Sequence, residues 1–160
     1  MNLKIISAIL VLALASMACG FDVSLPERVE PGPEVEESIT VAGSRSSGET
    51  RLTISFGAGT LDLSPGAQNL VDGTAVYNIP ELKPEVISGD GSVEIKQGEF
   101  KNLVNFNDIK NDWDLKLGKT PIDLNINAGA YQGNFELGGL SLTSLTVKDG
   151  AAQVELSFSE

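Results

Sequence analysis

Residues 52–63 read Leu52-Thr-Ile-Ser-Phe-Gly57-Ala58-Gly-Thr-Leu61-Asp62-Leu63, and residues 145–156 read Leu145-Thr-Val-Lys-Asp-Gly150-Ala151-Ala-Gln-Val154-Glu155-Leu156. The two superimpose without a gap: an alternating apolar run, a Gly-Ala corner, and a second run with an acid between two apolar residues. A third copy lies between them. Ile122-Asp-Leu124-Asn-Ile126-Asn-Ala-Gly129-Ala130 continues through Phe135-Glu136-Leu137 with two residues inserted, and the step from Gly129 to Gly150 is 21 residues. Short strands repeating every 20 to 25 residues are what one coil of a β-solenoid requires. A lone coil exposes its inward residues and its strand edges, whereas coils stacked at ~4.8 Å bury the first and pair the second. Glycine lets the chain bend where a Cβ would obstruct, and the alanine after it is small enough to pack inside the bend. Alternation then sends Asp62, Glu136 and Glu155 to water and assigns Leu61, Leu63, Phe135, Leu137, Val154 and Leu156 to the core. The alternative is an antiparallel β-sandwich, which shares strand length and turn chemistry but does not require one corner to recur at a fixed spacing.

Outward from these repeats, the chain from about Ser38 is all-β in its punctuation. Apolar runs such as Ile39/Val41, Leu115/Leu117 and Val93/Ile95 alternate with turn signals at Ser64-Pro65-Gly66, Asp72-Gly73, Gly89-Asp90-Gly91, Gly138-Gly139 and Asp149-Gly150. Residues 71–98 leave the repeat and read as a hairpin or a longer strand pair, with Val86, Ile87, Val93 and Ile95 flanking its turn. The only helix-like stretch in this part is Phe100–Ile109, whose three asparagines favour a loop.

The N-terminal part is of another kind. Lys4, an apolar run from Ile5 to Ala15 and small residues up to Ala18 form a secretory signal, too short to cross a bilayer of ~30 Å. Ser16-Met17-Ala18-Cys19 resembles the bacterial lipobox, in which the cysteine is lipidated and becomes the new N-terminus; an ordinary signal-peptidase site at the same point is the alternative. Cys19 is the chain's single cysteine and stands where that modification requires it. Acylation there would hold the protein on the membrane without a spanning segment. Residues 20–37 follow with Pro26, Pro31 and Pro33 and a net charge of -5. Proline and self-repulsion keep such a segment extended, so it reads as a tether.

Composition narrows the chemistry. The 160 residues hold 22 acids, 11 bases and no histidine, for a net charge of -11. Without histidine there is no Ser-His-Asp or Cys-His catalysis and no His-ligated zinc, and one cysteine makes neither an intrachain disulfide nor a thiolate metal cage. A surface this acidic repels phosphates, which argues against nucleic-acid binding. No motif calls for a cofactor.

The stretches Phe56-Gly-Ala-Gly-Thr-Leu-Asp-Leu63, Asn111-Asp-Trp-Asp-Leu-Lys-Leu117, Pro121-Ile-Asp-Leu-Asn-Ile-Asn-Ala-Gly-Ala130 and Asp149-Gly-Ala-Ala-Gln-Val-Glu-Leu156 resemble the bacterial toast-rack domain over residues 38–160. The resemblance implies a stack of β-strands in an envelope or cell-surface protein, with relatives among cell-wall-stress sensors and adhesin-like heads. It brings no catalytic motif, and a shared fold does not convey a shared site.

The densest polar patch is Asp108, Asn111, Asp112 and Asp114 around Trp113. Carboxylates beside an indole have the composition of a Ca²⁺ or sugar site, but the spacing matches neither an EF-hand nor a Ca²⁺-binding nonapeptide repeat. The competing reading has Trp113 covering the core with the acids outward. Asp112 and Asp114 share a strand face and are the pair a glycosidase would use, were one pKa raised. The asparagines Asn102, Asn105, Asn107, Asn111, Asn125, Asn127 and Asn134 read as corner residues. The chain thus divides into a signal (1–18), a lipidated Cys19 with its tether (19–37) and one β-solenoid-like domain (38–160). The expected function is a non-catalytic envelope module for sensing or adhesion, with membrane contact through the anchor and an envelope protein or glycan as partner. A small polysaccharide-active enzyme and a self-stacking surface protein are the alternatives.

Overall fold

In the computed structural model, residues 30–43, 48–99 and 109–159 are described. They hold eight strands: β1 (Val35–Val41), β2 (Thr50–Pro65), β3 (Val71–Tyr77), β4 (Pro84–Gly89), β5 (Ser92–Gln97), β6 (Asn111–Leu117), β7 (Ile122–Glu136) and β8 (Leu142–Ser157). A short 3-10 turn, Pro80–Leu82, precedes β4. Strands β2, β7 and β8 are long because each runs unbroken through its glycine corner, giving two arms per rung. Four residues join β6 to β7 and five join β7 to β8. The β7–β8 link returns the chain to the start of the adjacent rung, while the β6–β7 link carries it past β2, which lies between them; β6, β2, β7 and β8 all run parallel.

The register confirms the repeat. Leu52 lies beside Leu124 and Leu124 beside Leu145; past the corner, Ala58, Ala130 and Ala151 are neighbours in turn. The inward residues step by five across each bend, Phe56 to Leu61 and Ile126 to Tyr131. That odd step keeps the apolar side chains of both arms facing one interior. The arms enclose a single core in which Leu52, Ile54, Leu61, Ile95, Leu115, Leu124, Ile126 and Phe135 are fully buried. Each side chain of this kind contributes ~1.5–3 kcal/mol.

The corners set the spacing. A Cβ on Gly129 would stand 2.3 Å from the Gly57 carbonyl oxygen, and one on Gly150 would stand 2.9 Å from that of Gly129. Both are inside van der Waals contact with backbone, so glycine is obligatory at Gly129. The alanines behave differently from expectation: Ala130 and Ala151 are exposed and Ala58 half-buried, because the glycines occupy the crowded side of the bend.

Four further differences have physical causes. First, no insertion separates the middle repeat from the others. Gly133, not Phe135, stands beside Leu61, and the rings of Tyr131 and Phe135, 6.3 Å apart and nearly parallel, fill the space its missing side chain leaves. Second, Val154 is half-buried and Leu156 is 43% exposed, because no described rung covers β8. Third, the stack is not parallel throughout. β3 runs antiparallel to β6, β4 to β5 and β1 to β3, so the far end is a reversed rung under a final strand. Val86 and Ile87 of the expected hairpin lie on β4, an edge strand that pairs with β5 alone, and stay exposed, while Val93 and Ile95 on β5 are buried. Fourth, regular pairing starts at Val35, within the stretch read as tether, and the Gly32 N–H already donates to the Asn78 carbonyl. Glu37 is part of the fold: it accepts from the Tyr77 hydroxyl and pairs with Lys83, whose hydrogen bond holds its carboxyl below the usual range.

One rung is split. β5 ends at Gln97 and β6 starts at Asn111, and both pair with β2, so on that side β2 meets two separate strands in place of one strand bent at a glycine corner. Two buried side chains take its place. Gln97 Oε1 accepts from the Gly57 and Ala58 N–H groups and from Asn111 Nδ2, while Asn111 Nδ2 also donates to the Ala58 carbonyl. Strand pairing is thereby continued in side-chain form across the gap.

The stacking argument predicts that Gly129→Ala lowers stability by more than ~3 kcal/mol, whereas Gly43→Ala, with nothing within 4 Å, changes it by less than ~0.5 kcal/mol. Urea unfolding midpoints check this; equal midpoints for the two variants would refute the close approach.

Candidate functional site

The outer face of the second arms carries the polar residues that alternation sends away from the core. One row crosses five strands: Thr74, Asp114, Asp62, Asn134 and Glu155. The next contains Asp112, Thr60, Gln132 and Gln153. Neighbours in a row sit one strand spacing apart, ~4.8 Å, so Asp62 has a second carboxylate beside it.

Asp112 and Asp114 do share an outward face. Asp62 joins them, a residue that the reading of the patch missed; Trp113-Asp114-Leu115 repeats Leu61-Asp62-Leu63, and the interruption at 98–110 hides that match. Asp112 pairs with Lys110, and Asp114 is exposed. Asp108 falls outside the described residues, as do Asn102, Asn105 and Asn107. Burial raises the Asp62 carboxyl above the usual aspartate range, and the charges of Asp114 and Asp112 push it the same way.

The other members of the patch point inward. Trp113 is 1% exposed, donates its indole N–H to Asn111 Oδ1 and meets Phe56 edge-on at 5.1 Å. Its ring is packed in the core and offers no platform for a sugar. Asn111 serves a corner as expected, though through bonds to the neighbouring rung. Asn125, Asn127 and Asn134 instead lie within β7. Among the described residues no group of three or more acidic, cysteine or histidine side chains converges as a metal site would. The hollow around Asp62, Gln132, Asn134, Gln153 and Glu155 is shallow and open. Amides and carboxylates spread over a flat strand surface can hydrogen-bond and attract cations. They do not surround a reacting atom, as the paired acids of a glycosidase must.

Residues 30–160 match the family described as the N-terminal domain of toast_rack, DUF2154. The chain belongs to this toast-rack family. The toast-rack architecture recurs in solved structures. A candidate cell adhesion protein from Clostridium sporogenes is similar at 29% identity and a TM-score of 0.71, covering 78% of this chain and 61% of that one. Candidate adhesins from Parabacteroides distasonis (12% identity, TM-score 0.43, 81% and 59% covered) and Bacteroides fragilis (13%, 0.45, 79% and 63%) are also similar. The chain therefore spans about three-fifths of the length of these proteins. No curated protein matches it.

The electrostatics of the outer face give a prediction of definite sign. A carboxyl whose pKa is higher folded than unfolded binds its proton more tightly in the native state, so stability falls as pH rises through that interval. Asp62→Asn should therefore raise the melting temperature at pH 7, with the gain vanishing below the ordinary aspartate value of ~3.9. Melting curves across pH test this, and a variant less stable than the parent at pH 7 would contradict it.

Proposed function

We propose that this toast-rack domain is an extracytoplasmic envelope module, anchored to the membrane by a lipid on Cys19, that acts by binding or scaffolding and serves adhesion. What supports the reading most is the pairing of two facts. The chain's single cysteine follows the apolar run from Ile5 to Ala15 and a tail of small residues, and the domain behind it is similar to a candidate adhesion protein. The acidic proline segment from residue 20 would then hold the domain off a negatively charged headgroup surface. The flat outer face suits an envelope protein or a glycan approaching with hydrogen-bond donors or positive charge. An enzymatic reading has less to stand on, since Asp112 is tied to Lys110 and, among the described residues, the acids near it lie along one flat strand surface.

Cys19→Ala should move the protein from the membrane fraction to a soluble or unprocessed form; an unchanged membrane fraction would overturn the anchor. Intact protein should release no product from envelope glycans. Turnover that Asp112→Asn abolishes would replace this proposal with an enzyme.

A further inference from the structure

The sequence contains three Asp-Gly pairs, Asp72-Gly73, Asp90-Gly91 and Asp149-Gly150. All three read as turn signals, but the fold treats them differently. Asp72-Gly73 lies within β3 and Asp149-Gly150 within β8, whereas Asp90-Gly91 is the two-residue loop between β4 and β5, closed by the Gly89–Ser92 pair.

An aspartate followed by glycine can close a ring on itself. The glycine nitrogen attacks the side-chain carboxyl carbon of the neutral acid, a C–N bond forms, and the carboxyl hydroxyl leaves with the amide proton as water. The five-membered succinimide then takes up one water. Opening at the main-chain carbonyl leaves the chain running through the side-chain carbonyl, an isoaspartyl linkage of unchanged mass. Glycine favours the attack because no Cβ shields its nitrogen. The step needs a carboxyl free to turn, a glycine N–H outside a strand ladder, and room for the ring.

Two of the pairs are denied these conditions. Asp72 Oδ2 accepts from the Gln68 and Asn69 backbone N–H groups, and its Oδ1 accepts from Asn69 Nδ2. The Asn69 side-chain bond foremost holds that carboxyl below the usual range, away from the neutral form that reacts. Gly73 pairs with Ile39 on one side and Leu115 on the other, and a Cβ on it would stand 2.2 Å from the Asp114 carbonyl oxygen. Asp149 Oδ1 accepts from the Tyr131 hydroxyl at 2.7 Å, and a Cβ on Gly150 would stand 2.9 Å from the Gly129 carbonyl oxygen.

The third pair meets all of them. Asp90 is exposed, and among the described residues neither its carboxyl nor the Gly91 N–H has a hydrogen-bond partner. A Cβ on Gly91 would meet nothing within 4 Å, so the ring has space. We infer that Asp90-Gly91 is a site of spontaneous isoaspartate formation, and that the fold confines the reaction to this one of the three pairs. The reactants are the chain's own carboxyl and amide and one water.

The consequence is local. The new linkage adds one carbon to the backbone of the loop, and a two-residue hairpin loop has no slack to absorb it. The bond most affected is the one the Arg51 N–H donates to the Gly91 carbonyl, where pairing between β2 and β5 begins.

The experiment ages the full chain in detergent micelles at neutral pH. Cleavage after glutamate then separates the three pairs into residues 50–81, 86–94 and 137–155, and electron-transfer fragmentation locates the linkage. Isoaspartate should accumulate at Asp90 at least ~10-fold faster than at Asp72 or Asp149, a factor equivalent to about 1.4 kcal/mol of local opening. In urea above the unfolding midpoint the three rates should converge, because the fold no longer selects among them. Asp90→Glu, which would have to close a six-membered ring, should remove the product at the loop without changing the unfolding midpoint. Hydrogen exchange at the Arg51 amide should quicken as isoaspartate builds up. Comparable rates at the three pairs in the native chain, or a preference for Asp90 that persists in urea, overturns the inference. Arg51 exchange that stays constant in the aged chain overturns the loosening of the hairpin.

Discussion

The closeness of neighbouring backbones at the glycine corners is the constraint on which this structure depends. Strands in a ladder stand ~4.8 Å apart only if nothing projects between them. At a bend the inner side is crowded, and the distances at Gly129 leave no room for a methyl group. From that follow the bend, the five-residue step between inward positions and the enclosure of one core by two arms. The fold is therefore less a set of strands than one column of bends with walls attached.

The split rung shows how strongly the column is maintained. Between the end of β5 at Gln97 and the start of β6 at Asn111, the N–H groups of Gly57 and Ala58 would lack a strand partner, and a buried unsatisfied donor costs about 1–3 kcal/mol. Gln97 and Asn111 restore the bonds, and Asn111 fixes the Trp113 indole as well. The residues most suggestive of a ligand site in the sequence thus hold the scaffold together. What remains for function is the outer surface, with acids and amides in rows on one wall.

The corners were legible because glycine returning at a fixed interval marks a bend that the chain makes again and again, and Leu52, Ile54, Leu61 and Leu63 follow from alternation alone. Matching apolar residues to apolar residues sets the middle repeat two positions out of register. Gly133 offers no side chain to match, and the rings that fill its place come from Tyr131 and Phe135 on either side. The reversal of β3 and β4 was illegible for a general reason: alternation says which face is buried but not which strand is next, nor in which direction it runs. Alternation places Val154 and Leu156 in the core only where a further rung covers them, and among the described residues none does. On the outer face, Asp112 and Asp114 could be placed from i, i+2 spacing, whereas Asp62 needed the rung register, which the interruption after Gln97 conceals. Cys19 and its neighbours lie outside the described residues, and their reading rests on the sequence.

The central claim is that Gly57, Gly129 and Gly150 occupy one column, and proton–proton contacts measured by NMR in solution test it most directly. Close contacts linking the glycine protons of Gly57 with those of Gly129, and of Gly129 with those of Gly150, are the expected result. Contacts that instead pair residues 122–128 with 142–149 in antiparallel order, with the three glycines far apart, would contradict the coil and everything built on it.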